Sequence, residues 1–283
     1  PVEYAVRMRQ FDPEQRLDRV ASRGILDEQL LDELAQRVAR LHQTAQVADA
    51  ASAALYPRRL VEAIAGNFQA LPATPEAAHL RVAFDRALAA QAALLKRRAE
   101  SGCVRECHGD LHLANICLWH GHPLLFDCIE FNAALRVIDV LSDTAFLYMD
   151  LLERKYPSGA LRLLNGYLER TGEYGGLPAW PLWVAYRAHV RAKIAHLTAR
   201  APGVPASEGG VQDALRGQYL QMAAGALAAR TGGLVMLAGL PGSGKSTQAL
   251  KIACAENGIR VRSDVERKRL QARDPARDLY GEA

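Results

Sequence analysis

Apolar residues recur at helical spacing through most of the first two hundred positions. Four apolar side chains between positions 31 and 41 follow one another at intervals of three and four, so they predict a helix from Asp27 to about Thr44 with Asp27 as its N-cap. Thr74 followed by Pro75 predicts the start of a second helix that ends at Ser101, before Gly102. Similar patterns predict further helices over 55–70, 144–152, 158–170, 180–200 and 211–230.

Shorter runs of apolar and β-prone residues predict strands between these helices. Residues 2–11 alternate apolar and polar side chains, and the runs 103–107, 116–119 and 124–126 are brief and apolar. A turn over 120–123 separates the last two runs, so they predict a hairpin. Two later runs, 234–238 and 258–262, predict strands of a second region, the first of them buried.

The residues that can carry chemistry flank this hairpin. The segment 108–115 has the sequence HGDLHLAN, and Phe126-Asp127 follows the third strand. Asp110 and Asn115 stand five residues apart, and Asp127 comes seventeen residues after Asp110. Phosphoryl transfer needs a carboxylate beside the attacking hydroxyl, and an amide and a second carboxylate to hold Mg²⁺ against the ATP phosphates. These three residues have the order and spacing of a kinase catalytic loop and its metal-binding aspartate.

The form His-Gly-Asp-x-His-x-x-Asn resembles the aminoglycoside phosphotransferase family, also called the choline-kinase-like group. The resemblance implies an α+β fold, with a mostly helical kinase-like C-terminal lobe and a short β-hairpin at the active site. Asp110 would then be the catalytic base or the group that orients the hydroxyl, and Asn115 and Asp127 would be ligands of Mg²⁺. The dipeptide Leu41-His42 is similar to the end of the family's helix before the catalytic loop, although a histidine there is more often a capping or packing residue.

The same resemblance implies that an aspartate beyond the hairpin accepts hydrogen bonds from backbone amides of the catalytic loop. We assign this role to Asp139 and treat Asp143 as a charge at a helix N-terminus, with two helix caps as the alternative. We expect His108 and His112 to hold the loop in shape through hydrogen bonds. A zinc site among the cysteines and histidines of 103–128 is less favoured, because no C-x2-C pair occurs.

A second chemical motif lies near the other end of the chain. The segment 239–247, GLPGSGKST, contains the pattern G-x4-G-K-S between a predicted strand and a predicted helix. We expect backbone N–H groups of the loop to bind the phosphates of ATP, Lys245 to reach the outer phosphates, and the Ser246 hydroxyl to bind Mg²⁺. The residues expected at the nucleotide are Gly239, Gly242, Ser243, Gly244, Lys245, Ser246 and Thr247.

Asp264 follows the predicted strand 258–262 and is a further catalytic candidate. Its position is similar to that of the base in hydroxyl-phosphorylating P-loop kinases, such as polynucleotide kinase and zeta-toxin-like proteins, where a nearby arginine binds substrate. A helix N-cap is the plain alternative, and both roles are compatible.

The predicted helix 180–200 carries basic residues. Arg191 or Lys193 could contact an acidic acceptor, but we favour a basic face exposed to solvent. The opposite, apolar face of this helix would contain Trp183, Val190, Ile194 and Leu197.

Composition narrows the class of protein. The chain has 283 residues, of which 49% are hydrophobic and 23% charged, so it can bury a full core and two domains. The net charge of +4, without a basic tract, argues against nucleic acid as a partner. Binding of anionic ATP is enough to account for the excess of basic residues. Five cysteines, no secretory leader and no apolar run of membrane-spanning length predict a cytoplasmic protein with free thiols.

The order of the motifs divides the chain into three parts. We predict a phosphotransferase-like region over 1–200, a linker over 201–210 with a connecting helix to 230, and the start of an α/β P-loop kinase domain over 231–283. The chain starts at Pro1 and stops 38 residues after Lys245, so we expect a piece of a longer protein. A glycine-rich strand turn and an ATP-binding lysine are missing upstream, so we expect this piece to bind ATP weakly at the first site.

The expected function is ATP- and Mg²⁺-dependent transfer of the γ-phosphoryl group to a hydroxyl of a small molecule. The order of the two regions resembles bacterial proteins described as bifunctional aminoglycoside phosphotransferase and ATP-binding proteins. One alternative is a non-catalytic nucleotide-sensing scaffold with a regulatory P-loop ATPase, and another is a hydroxyl kinase of the polynucleotide-kinase type that works through Asp264. The acceptor, the oligomeric state and any coupling between the sites stay open.

Overall fold

Helices dominate the architecture, as the periodicity predicts. The computed structural model of the protein describes residues 10–229 and 232–271. The helices of these ranges are α1 Leu17–Ser22, α2 Glu28–Thr44, α3 Ala50–Ala70, α4 Pro75–Glu100, α5 Ala133–Arg136, α6 Val140–Glu153, α7 Pro157–Thr171, α8 Trp180–Ala199, α9 Ala206–Leu227, α10 Lys245–Ala255 and α11 Ser263–Leu270. The strands are β1 Val104–Glu106, β2 Ile116–Trp119, β3 His122–Leu125 and β4 Val137–Asp139.

The helix starts that depend on local capping agree with prediction. Asp27 accepts a hydrogen bond from the Leu30 amide at 2.7 Å, and Thr74 accepts one from the Ala77 amide at 3.2 Å. Helix α3 begins five residues earlier than predicted, because the Asp49 side chain caps it by accepting from the Ser52 amide at 2.9 Å. Such caps satisfy backbone donors that have no partner inside the helix.

Two antiparallel two-stranded sheets frame the 108–115 loop. Strands β2 and β3 form the predicted hairpin, and Trp119 pairs with His122. The turn is tighter than the predicted turn 120–123, because only His120 and Gly121 lie outside the ladder, with φ of 51° and 82°. Two consecutive positive φ values match the twist of a two-residue hairpin. In the other sheet, β1 pairs with β4.

The core lies between α2, α6, α7 and α8. Its largest fully buried side chains include Trp183, Tyr167 and Phe146, and the Trp183 indole donates to the Tyr56 hydroxyl at 3.0 Å. Almost every residue of α6 is buried, as its apolar sequence predicts. This helix runs through the middle of the domain and is therefore well placed to support the loop beside it.

Helix α8 contradicts its predicted faces. Ile194 and Leu197, expected on the apolar face, are 44% and 51% exposed, whereas the polar residues Arg187 and His189 are buried. The pattern misleads because Arg187 finds carbonyl partners inside the protein, which permits a charged residue on the packed face. The burial of Arg187 is therefore accounted for by its hydrogen bonds, whereas neither ring nitrogen of buried His189 has a hydrogen-bond partner among the described residues.

Helix α9 begins at Ala206, inside the predicted linker, and it packs antiparallel to α8. Arg191 lies 5.7 Å from the centre of the Tyr219 ring, and Arg200 pairs with Asp213 at 3.1 Å. The predicted solvated face of α8 is therefore wrong at Arg191, which α9 covers. Through these contacts α9 packs with the helices of the phosphotransferase-like region and is not a free linker.

The predicted strand 234–238 is not formed. These residues form no regular secondary structure and have no ladder partner among the described residues, and Leu234 and Met236 are 87% and 84% exposed. The expectation of a buried strand is therefore wrong, because a lone strand has neither a hydrogen-bonding neighbour nor a surface that covers its side chains. Residues 258–262 likewise have no strand partner in the part of the chain that the structure describes, although Arg262 has an extended backbone. The predicted strand 2–11 lies almost wholly outside the described residues.

None of the helices that the structure describes is both long and apolar enough to cross a bilayer.

Candidate active site

Asp110 and Asn115 meet on the 108–115 loop. The Asn115 amide nitrogen donates to the Asp110 backbone oxygen at 3.0 Å and to its carboxylate at 2.9 Å. His112 Nδ1 accepts from the Ala114 amide, so its proton lies on Nε2, which is 3.3 Å from the Asp110 carboxylate. A single turn of 3-10 helix over Leu113–Asn115 brings these groups together. Asn115 is buried, whereas the Asp110 side chain is 40% exposed and accessible to a ligand.

The surroundings of Asp110 favour its charged form. Partial burial opposes ionisation, but the hydrogen bonds from His112 and Asn115 and the nearby charge of Arg187 outweigh it and lower the pKa of Asp110. The carboxylate is therefore ionised at neutral pH. It can accept a hydrogen bond from a hydroxyl, whereas a neutral carboxylic acid would compete as a donor.

The segment that carries Asp127 is bonded to the 108–115 loop on both sides of this residue. The Phe126 amide donates to the Asn115 carbonyl at 3.1 Å, the Phe126 carbonyl accepts from His108 Nε2 at 2.8 Å, and the Ile129 amide donates to the His108 carbonyl at 3.0 Å. Asp127 has a φ of 59° and an exposed side chain. The backbone of Asp127 thus lies next to that of Asn115, and the approach of their side chains to one cation stays a prediction.

Asp143 anchors the start of the loop. Its carboxylate accepts the backbone amides of His108 at 3.0 Å and Gly109 at 2.9 Å, and His42 Nε2 lies 3.1 Å from it. The assignment of this role to Asp139 is therefore wrong. Asp143 lies one helical turn after the start of α6, which points it at the loop, while Asp139 lies before the first turn.

Asp139 has a different partner. It caps α6 by accepting from the Leu141 amide at 2.9 Å, and Arg98 binds both of its oxygens at 2.7 and 2.9 Å. Arg98 also pairs with Glu173 at 2.8 Å. Burial lowers the pKa of Arg98, but the two acidic partners outweigh it and raise that pKa, so the guanidinium stays charged. Burial raises the pKa of Asp139 despite its bonds with Arg98. This pair joins α4 to α6 behind the loop.

A second carboxylate of α6, which the sequence interpretation missed, anchors the other end of the loop. Asp150 is buried and accepts the Leu113 amide at 2.8 Å. It lies seven residues after Asp143, so both carboxylates project from the same face of the helix. Two aspartates two turns apart in a mostly apolar helix were the available signal, because a buried charge needs a partner.

Arg187 of α8 braces the loop from the other side and was also missed. Its guanidinium donates to the Gly109 carbonyl at 3.0 Å and to the Ser142 carbonyl at 2.9 Å, and it lies 4.9 Å from the centre of the Phe146 ring. Gly109 has a φ of 84°, and a Cβ there would come within 2.9 Å of the Leu135 carbonyl. Glycine is therefore required at the turn that Arg187 holds.

The histidines have structural roles, as predicted. His108 and His112 hydrogen-bond a carbonyl and the Asp110 carboxylate, and buried His42 links Asp143 to the Tyr167 hydroxyl at 2.9 Å. A zinc site within 103–128 would need several ligands from that range, and Cys107 is the one residue of the range in a potential metal-binding group of the described residues. The potential metal-binding group found among them joins His42, Cys107 and Asp143, and Asp143 already accepts two backbone amides.

The 239–247 segment forms a loop that ends on a helix, as the motif predicts. Gly239, Gly242 and Gly244 have φ values of 157°, 77° and 78°, and Lys245 is the first residue of α10. The Lys245 ammonium donates to the Gly239 and Leu240 carbonyls at 2.7 and 2.5 Å. Ser243, Ser246 and Thr247 are exposed beside it. The loop thus curls around a cation at a helix N-terminus, an arrangement suited to phosphate.

Asp264 lies inside α11 and not at its N-cap, which is Arg262. The N-cap alternative is therefore wrong. The Asp264 carboxylate instead pairs with the Arg262 guanidinium at 2.8 Å. Burial opposes its ionisation, but the bond with Arg262 outweighs burial and lowers the pKa of Asp264. A carboxylate with an adjacent arginine is the pair of groups expected for the catalytic role.

Comparison with known proteins identifies the first of these regions. Residues 6–183 match the model of the phosphotransferase enzyme family. The chain belongs to that family. Residues 234–282 of this phosphotransferase-family chain match the model of an AAA domain, so a P-loop module follows the phosphotransferase region.

Two relatives of the phosphotransferase-family chain come from mycobacteria. It is 32% identical over 278 residues to the uncharacterized protein Rv2004c of Mycobacterium tuberculosis (strain ATCC 25618 / H37Rv) and to the uncharacterized protein Mb2027c of Mycobacterium bovis (strain ATCC BAA-935 / AF2122/97). The alignment covers 95% of this chain and 54% of each relative. The chain therefore spans about half the length of these relatives.

Proposed function

We propose that the phosphotransferase region transfers the γ-phosphoryl group of ATP to a hydroxyl group of a small molecule. One observation carries the proposal. Asp110 is accessible to a ligand, hydrogen-bonded to Asn115 and His112, and part of a loop whose backbone is held by two buried carboxylates of α6. Preorganised polar groups of this kind let an enzyme position an acceptor without reorganising at each turnover.

In this proposal Asp110 acts on the acceptor. Its ionised carboxylate accepts the hydrogen bond of the attacking hydroxyl and orients the oxygen toward the γ-phosphorus atom. As the new oxygen–phosphorus bond forms, the hydroxyl proton moves to Asp110 and ADP leaves. Asn115 and His112 keep the carboxylate in place while the acceptor binds.

The side chains of Asn115 and Asp127 fit the Mg²⁺ that such a reaction uses. Mg²⁺ prefers oxygen ligands. The Asn115 amide nitrogen donates to Asp110. Neither the Asn115 amide oxygen nor the Asp127 carboxylate has a hydrogen-bond partner among the described residues. We propose these oxygens as the metal ligands. Bound Mg²⁺ would neutralise charge on the ATP phosphates.

We further propose that the P-loop module binds ATP and Mg²⁺ through Lys245, Ser246, Thr247 and the loop glycines. The curled loop and the exposed hydroxyls at the start of α10 support this. The Asp264–Arg262 pair favours a second activity, in which Asp264 is the base for a hydroxyl acceptor in this module. Radiolabel transfer to a 5′-hydroxyl oligonucleotide that depends on Lys245 would identify a polynucleotide-type acceptor. The proposed acceptor of the first site is any small hydroxylated molecule, aminoglycosides included.

The test uses full-length protein with Lys245→Ala, so that phosphoryl transfer must come from the first site. The protein is screened with γ-labelled ATP against a panel of hydroxylated metabolites and aminoglycosides. In this background Asp110→Asn should lower kcat about 10²- to 10⁴-fold, the range of general-base catalysis, and leave the ATP dissociation constant nearly unchanged.

Asp85→Asn is the matched control, because Asp85 is exposed on α4, away from the 108–115 loop. It should leave kcat unchanged. An Asp110→Asn protein that keeps more than half of the parent kcat would overturn the assignment of Asp110, and so would an equal loss in both variants.

A further inference from the structure

Residues 258–262 of the P-loop module lie against α7 of the phosphotransferase region. Asn165 of α7 is fully buried; its amide nitrogen donates to the Gly258 carbonyl at 3.2 Å, and its amide oxygen accepts the Arg260 amide at 2.5 Å. The carbonyl of one residue and the amide two residues later point to the same edge of an extended segment, so one side-chain amide can satisfy both. Asn165 thereby takes the place of a neighbouring strand.

A shared carboxylate reinforces this contact. Both oxygens of Glu169, one turn further along α7, bind arginines of the segment: one pairs with Arg260 and the other with Arg262 at 3.0 Å. The side chains of Glu169 and Arg260 are only 19% and 12% exposed. Ion pairs that are shielded from water are screened less by salt than surface pairs, and removing one partner leaves the other as an uncompensated charge.

Arg260 continues the contact into the P-loop. Of its two terminal guanidinium nitrogens, one binds Glu169 and the other donates to the Ser246 carbonyl at 3.0 Å. Ser246 is the second residue of α10 and directly follows Lys245. One guanidinium therefore bridges a carboxylate of the phosphotransferase region and the backbone of the proposed nucleotide site.

We propose that Arg260, held by Glu169, is a positioning residue that sets the start of α10 for nucleotide binding, so that α7 of the phosphotransferase region controls the affinity of the P-loop. This inference rests on the proposed nucleotide binding at Lys245. The same carboxylate also orients Arg262, the partner of Asp264. Loss of the ion pairs of Glu169 would therefore disturb both the phosphate-binding turn and the candidate base of the P-loop module.

The experiment measures binding of Mg²⁺ and ADP to full-length protein by calorimetry. ADP avoids turnover, and Lys245→Ala defines the binding that belongs to the P-loop. Glu169→Gln and Arg260→Gln should each weaken this binding about fivefold or more, within the range of coupling between distinct sites. The double variant should be no weaker than the weaker single variant, because both changes remove the same bridge. Glu256→Gln, at the exposed end of α10, should have no effect.

Hydrogen exchange of residues 258–262 supplies a second readout that does not depend on nucleotide. Glu169→Gln should speed exchange of these amides, and Asn165→Ala should do so at Arg260, while residues 104–119 keep their protection. Unchanged ADP affinity in both Glu169→Gln and Arg260→Gln would overturn the proposal, and so would losses of binding free energy that add fully in the double variant.

The proposed nucleotide site fails separately if Lys245→Ala leaves all ADP binding intact. In that case, unchanged hydrogen exchange of residues 258–262 in Glu169→Gln would also overturn the contact between these residues and α7.

Discussion

Replacing Asp143 by asparagine tests how the 108–115 loop is held. The native carboxylate accepts the amides of His108 and Gly109 and the ring N–H of His42, so three donors share two oxygens. An asparagine side chain has one oxygen and an NH2 group that is itself a donor. At least one of the three donors then loses its acceptor and faces another donor in a buried site.

The magnitude follows from these bonds. A hydrogen bond to a charged group contributes about 1.5–3 kcal/mol, and a buried donor left without a partner costs about 1–3 kcal/mol. Loss of one bond and weakening of the others therefore predict a local destabilisation of about 3 kcal/mol. Since about 1.4 kcal/mol corresponds to a factor of ten, exchange of the His108 and Gly109 amides should accelerate about 100-fold.

The assay is hydrogen exchange resolved to single amides, combined with kcat, at a temperature where each variant is folded. Asp139→Asn is the comparison, because Asp139 is an equally buried aspartate on the same side of the core that binds Arg98 instead of the loop. It should lower global stability and leave the relative protection of His108 and Gly109 intact. Equal acceleration in the two variants, or none in Asp143→Asn, would refute the role of Asp143 as the anchor.

Three further predictions concern single residues. Burial lowers the pKa of His189 to about 4, so stability should fall by up to about 3 kcal/mol as pH drops from about 6.5 to 4, and urea titrations of His189→Leu should lack this slope. Arg187→Lys cannot bridge two carbonyls with the same geometry and should lower the free energy of unfolding by about 2 kcal/mol, measured by chemical denaturation. Lys245→Ala should abolish ATP binding at the P-loop and leave phosphorylation at the first site, measured by calorimetry and label transfer.

Features that depend on near neighbours could be predicted from the sequence. The caps at Asp27 and Thr74 need only a side chain and an amide three residues away. The Asp110–Asn115 contact is likewise local, because five residues with a tight turn bring the side chains together. The hairpin that returns the chain to this loop depends on a two-residue turn and short β-prone runs.

Features that depend on distant partners could not be predicted. Asp139 and Asp143 lie four residues apart, and only the packing of α6 against the loop and α4 decides which carboxylate meets the amides and which meets Arg98. Residues 258–262 have a strand-like sequence, but their backbone partner is a side chain 93 residues away along the chain. Hydropathy alone also cannot predict the burial of Arg187, which depends on two carbonyls from other elements.

The most direct test of the proposed activity is whether Asn115 and Asp127 share one metal ion. Mn²⁺ binding in the presence of a non-hydrolysable ATP analogue is followed by electron paramagnetic resonance in full-length Lys245→Ala protein, which leaves the first site as the nucleotide-dependent metal site. Asn115→Leu and Asp127→Asn should each remove this bound Mn²⁺, and Asp85→Asn should retain it. Full Mn²⁺ occupancy in either of the first two variants would contradict the proposed metal site and the mechanism that depends on it.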